Sequence, residues 1–163
     1  MFLDIQDENI IKFVSILQKK KVRYMLIGGM AVNFYGVNRT TQDMDLWLAP
    51  TSENRDRFSE ALQEMGYQKE ELDDLEEADF TMPLVFSVWI GKEPLDCLTV
   101  VHHAIDYDEA EKQMLYLTLR DDIKLQIVSL DFLREMKIKS NREKDWRDVS
   151  LLDKIIAEKR KQT

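Results

Sequence analysis

GGMAVNFYGVNRTTQDMD, residues 28–45, is the stretch on which the reading of this chain turns. It follows an apolar run, Tyr24 to Ile27, opens on two adjacent glycines and closes on two carboxylates one residue apart, Asp43 and Asp45. VRYMLIGG (22–29) reads as a short strand, MAVNFYG (30–36) as a short helix ended by Gly36 in a left-handed cap, and DMDLWLAP (43–50) as a strand stopped by Pro50. Residues two apart in a strand share a face, so Asp43 and Asp45 project together while Met44 and Leu46 turn into the core. Carboxylates flanked by apolar residues are costly unless paired or ligating. Magnesium takes hard oxygen ligands, usually one or two carboxylates together with substrate phosphates, so the pair suits a metal–nucleotide complex. Pairs such as Glu71/Asp73, Asp106/Asp108 and Glu109/Glu111 have the same spacing and read as solvated faces.

Gly28 and Gly29 are the other half of this expectation. Without Cβ atoms they let a phosphate approach the backbone, although a plain tight turn uses glycines in the same way. Asn33, Arg39 and Thr40 lie between the two halves, with Arg39 suited either to phosphate or to pairing with Asp43. Asp96 interrupts the strand-like PLDCLTVV (94–101), where it is either a salt-bridge partner or a third carboxylate that completes a two-metal site. In the basic stretch REMKIKSNREKDWR (134–147), Lys137, Arg142, Lys144 and Arg147 either neutralise a triphosphate or cover a solvated amphipathic helix. Asp145 and Asp148 share one helix face there and are placed to orient those cations.

Working outward, a first helix is expected over Asp7 to Lys21, and a second from a Thr51 or Ser52 cap to Met65 with Gly66 as its stop. Residues 82–91 and 94–101 form a hairpin, 107–114 a helix, and 115–129 a second hairpin around Arg120-Asp121-Asp122. Helices follow over about 130–140 and 144–159. This pattern predicts an α+β fold, a mixed and largely antiparallel central sheet flanked by helices, with a helical C-terminus. Residues 1–163 are expected to be one domain, with a core over about 22–128 and a helical segment over about 130–160.

The net charge of −8 argues against general DNA binding, since affinity for phosphate backbones comes from clustered Lys and Arg. No apolar run is long enough for a membrane helix. The single cysteine, Cys97, reads as a small buried apolar residue, and with an N-terminus lacking a secretion signal it fits a cytoplasmic protein. His102 and His103 read as loop residues without metal-ligand spacing. The acidic KEELDDLEEADF (69–80) reads as a solvated loop or exposed helix.

Taken together, Gly-Gly followed by R-T-T-x-D-x-D resembles the signature of the nucleotidyltransferase superfamily built on the polymerase-beta-like catalytic fold. MKIKSNREKDWRDVSLL (136–152) resembles the K…R-x-K-D-x-x-D segment of its AbiEii-like branch, which includes toxin nucleotidyltransferases. The second glycine stands where many members carry serine. Small lincosamide-type antibiotic nucleotidyltransferases share the compact layout and the GG…R…D-x-D pattern. The resemblance implies Mg-dependent transfer of an NMP from an NTP to an acceptor hydroxyl on tRNA, a small molecule or a protein, with release of pyrophosphate. It assigns Asp43, Asp45 and Asp96 to catalysis and to two magnesium ions, manganese being the alternative. It assigns Gly28, Gly29, Arg39, Thr40, Lys137, Arg142 and Lys144 to the nucleotide, with Asn33, Asp145 and Asp148 supporting. The other reading it allows is a catalytically degenerate nucleotide-binding module of a toxin–antitoxin-type pair, working through a partner protein.

Overall fold

The computed structural model describes residues 6–37 and 43–162. The chain runs through α1 (Glu8–Lys19), β1 (Tyr24–Ile27), α2 (Gly28–Phe34), β2 (Met44–Leu48), α3 (Ser52–Glu64), a 3-10 turn (Lys69–Leu72), α4 (Asp73–Glu77), β3 (Val85–Ile90) and β4 (Glu93–Leu98). It continues through α5 (Tyr107–Glu111), β5 (Leu115–Arg120), β6 (Ile123–Ile127), α6 (Leu130–Ser140) and α7 (Glu143–Lys161). The expected α+β fold and both hairpins are present. Some boundaries move: the two glycines belong to the first turn of α2 instead of preceding it, α5 ends at Glu111 short of the expected 114, and β3 and β4 are shorter than the expected 82–91 and 94–101.

Local chemistry sets most of the ends. Asp7 caps α1 by accepting from the backbone N–H groups of Asn9 and Ile10. Thr51 caps α3 by accepting from Asn54, and Ser129 caps α6 by accepting from Phe132. Gly36 and Gly66 follow α2 and α3 with positive φ, +107° and +111°, the left-handed stop expected of each.

The six strands lie in the order β3-β4-β2-β1-β6-β5. Pairings β1–β2, β3–β4 and β5–β6 are antiparallel, whereas β1–β6 and β2–β4 are parallel. All four residues of β1 are buried, as a central strand covered on both faces requires. Leu46, Cys97 and Phe86 stand opposite one another across β2, β4 and β3, on one face of the sheet. Phe13 of α1 and Phe58 of α3 pack edge-on there, and Phe58 meets Phe86. Cys97 is the buried small apolar residue expected, and burial pushes its thiol pKa well up. The opposite face carries Asp45 and Asp96, one residue out of phase with that core. Among the described residues no helix is long and apolar enough to cross a membrane.

Candidate active site

Sheet register builds the site. Ile27, Asp45, Asp96 and Ser87 stand directly opposite one another on β1, β2, β4 and β3, a single row across four strands. The parallel pairing of β2 with β4 thus sets two carboxylates, 51 positions apart in the chain, side by side on one face. Asp43 precedes β2 and is exposed, whereas Asp45 and Asp96 are half-buried. A cavity of about 710 Å³ opens over the row.

Of the residues singled out in the sequence, Gly28, Gly29, Asp43, Asp45, Asp96, Lys137, Arg142 and Lys144 all line this cavity. Arg39 and Thr40 lie outside the described residues. Asn33, on α2, and Asp145 and Asp148, on α7, are not among the lining residues.

Gly28 has φ +73°, and a Cβ built on it would fall 2.2 Å from the Asp45 carboxylate oxygen Oδ2. Glycine is therefore required here by the backbone conformation and by the room that Asp45 needs. This constraint differs from the approach of a phosphate on which the sequence reading rests. It is invisible in the sequence because it joins residues of separate elements.

The Asp45 carboxyl is pushed up to a pKa of about 6, first by burial and then by the negative charges of Asp96 and Asp43, with Lys137 and Lys144 opposing the shift. Such a group gains from a nearby cation. Asp96 accepts a hydrogen bond from the Ser87 hydroxyl at 2.5 Å. Ser87 carries no signal in the sequence, because its place beside Asp96 follows from the β3–β4 register.

The opposite wall comes from α6 and α7. Lys137 is 9% exposed, and its ammonium group lies 3.1 Å from Asp145 and 3.2 Å from Asp148. Asp145 also accepts from the Ser140 hydroxyl and from Arg142 Nε, the latter at 2.6 Å. Burial alone would raise the Asp145 pKa, but these three donors hold it at about 2. The aspartates thus orient Lys137 and Arg142 from behind the cavity wall. Asn141, in the left-handed conformation with φ 52°, makes the tight turn that brings the two helices together.

The donor set is suited to a hard divalent cation: oxygen ligands only, with a carboxylate whose ionisation its neighbours oppose. Among the described residues, however, no three His, Cys, Asp or Glu side chains are grouped closely enough to hold a metal by themselves. Two carboxylates leave the remaining positions of such a shell to water or to a ligand's own oxygens.

No protein-family model matches the chain, and no curated protein does. Solved structures do. The antibiotic-resistance factor ANT(2'')-Ia in solution is 15% identical with a TM-score of 0.54, over 94% of this chain and 90% of that one. The crystal structure of ANT(2'')-Ia in complex with adenylyl-2''-tobramycin is 17% identical with a TM-score of 0.55, over 92% and 89%. The lincosamide antibiotic adenylyltransferase LnuA, lincomycin-bound, is 14% identical with a TM-score of 0.50, over 91% and 97%. The chain therefore shares the fold of these antibiotic-modifying proteins along nearly its whole length.

Proposed function

We propose that this protein is a metal-dependent nucleotidyltransferase that moves a nucleoside monophosphate from an NTP to an acceptor hydroxyl and releases pyrophosphate. The observation that carries this reading is the placement of Asp45 beside Asp96 over Gly28, with Lys137, Arg142 and Lys144 lining the same cavity. Asp45 and Asp96, with Asp43 at the rim, are the residues to hold magnesium. When bound, magnesium supplies Lewis-acid stabilisation of phosphate charge and lowers the pKa of a coordinated hydroxyl. Asp96, held by Ser87, is the residue to receive the acceptor proton. Lys137, Arg142 and Lys144 bind the triphosphate and offset the charge that develops on the leaving pyrophosphate. Gly28 keeps the Asp45 carboxylate at the row, and Asp145 and Asp148 orient the cations.

The names of the structural neighbours, one holding an adenylylated antibiotic and one a lincosamide, favour ATP as donor and a small-molecule hydroxyl as acceptor over tRNA or protein. The 136–152 segment supports placement in the AbiEii-like branch. A second reading, a nucleotide-binding module that has lost turnover and acts beside a partner, would use the same cavity for binding alone, and Asp43, Asp45 and Asp96 along its lining weigh toward the enzyme.

Calorimetric titration of each Mg-NTP into the wild type and a D45N/D96N variant tests both readings, followed by an assay for nucleotidyl transfer to an acceptor panel that includes tRNA. Transfer by the wild type that the variant loses supports the enzyme. Binding without transfer to any acceptor supports the module. Equal binding by both proteins would sink the assigned site.

A further inference from the structure

Strand β3 is the last strand of the sheet, and among the described residues no strand pairs with its outer edge. The Trp89 N–H donates to the Tyr67 hydroxyl at 2.8 Å, and that hydroxyl donates to the Trp89 carbonyl at 2.9 Å. Trp89 thus turns its backbone groups away from β4. In an antiparallel pair these directions alternate along the strand, so Val85 and Ser87 turn theirs outward as well. At the inner side, the Leu84 carbonyl accepts from Thr99, which fits the same phase.

Exposed edges are ordinarily blunted by lysine, proline or a bulge. The sequence of β3, VFSVWI, has no charge or proline, and its pairing with β4 is unbroken. Val85 is 79% exposed and Trp89 59%. A groove of about 400 Å³ runs along this edge, floored by Tyr67, Leu72, Leu75 and Ala78 and rimmed by Glu71 and Asp74. The flanking segment 69–80 carries seven carboxylates and one lysine.

We propose that this edge docks an extended, cationic peptide segment of another protein, which pairs with the outward backbone groups of Val85 and Ser87. Strand addition supplies the main-chain hydrogen bonds, and alternate side chains of the peptide reach the apolar floor and the acidic rim. Charge complementarity selects this occupant over a second copy of the chain. Two-fold pairing of β3 with itself would bring two acidic segments together, in a protein of net charge −8. The proposal does not depend on nucleotidyl transfer.

The probe is an acetylated, amidated octapeptide of alternating lysine and valine, titrated into the full chain at low salt, with amide hydrogen exchange followed by NMR. Binding with a Kd below about 1 mM and new protection at Val85 and Ser87 is the expected result. A glutamate–valine peptide is expected not to bind, and E71Q/D74N to weaken the lysine peptide about fivefold or more. Val85→Pro removes an outward N–H at an edge position that tolerates proline and is expected to abolish binding. If that variant does not fold, a peptide N-methylated on alternate amides makes the same test on the wild type. Three results overturn the proposal: no binding of the lysine peptide, equal binding of the glutamate peptide, or sedimentation showing a dimer whose formation buries this edge.

Discussion

Gly28 and Asp45 show how closely two residues can be tied. Replacing Gly28 with alanine forces a left-handed φ on a residue with a Cβ and drives that carbon into the Asp45 carboxylate. The expected cost is about 1–3 kcal/mol of stability, read from urea unfolding, together with loss of Mg-NTP binding by calorimetry. Asp45→Asn should act on stability in the opposite direction. The folded state holds the Asp45 pKa at about 6, against an ordinary value of 3.8, so ionising this group at neutral pH opposes folding. The asparagine variant should therefore be more stable than the wild type at pH 7 without metal, by about 2 kcal/mol after allowing for partial exposure, while losing Mg-NTP binding. A destabilised D45N would contradict the electrostatic account. Asp43 and Asp45 were legible as a pair from their spacing, whereas Ser87 was not, since only the strand register brings it to Asp96.

At the scale of elements, the parallel β2–β4 pairing and the α6–α7 corner make the two walls of the cavity. The corner is held by a buried cluster in which Lys137 is shared by Asp145 and Asp148. Removing one partner from such a cluster leaves uncompensated charge. Asp145→Ala is accordingly expected to cost about 3–5 kcal/mol in chemical unfolding and to loosen the packing of α7. Exposed pairs on the same helices, such as Arg134 with Asp153, should contribute far less, about 1 kcal/mol or below. The sequence placed every helix and strand of this region to within a few residues, because caps and turn residues act locally: Ser129 at one end of α6 and Asn141 at the other. It did not decide whether the basic face was a binding wall or a solvated surface, since both readings use the same amphipathic spacing.

For the whole molecule, the shifted carboxyls of Asp45 and Asp145 give opposite pH dependences. Asp45 contributes stability that is fully present below pH 3.8 and is lost as pH rises through about 6. Asp145 contributes stability that is present above pH 3.8 and is lost as pH falls through about 2. In thermal unfolding of the metal-free protein, the effect of ionising Asp45 should appear as the difference between wild type and D45N, growing from pH 4 to pH 7. Mg-NTP affinity should run the other way, weakening as pH falls below about 6, because the ligand needs the ionised carboxylate.

By itself the sequence determined the α+β class, the order of elements and the residues with chemistry to offer, because hydrophobic period, capping and turn preference are properties of neighbouring residues. The tertiary structure alone decided which of those residues meet. It set Asp96 beside Asp45, made Gly28 indispensable to Asp45, turned Lys137 toward the cavity from a buried pair of aspartates, and put β3 at the end of the sheet. These are contacts between segments far apart in the chain, fixed by strand register and helix packing, and no local pattern encodes them one at a time.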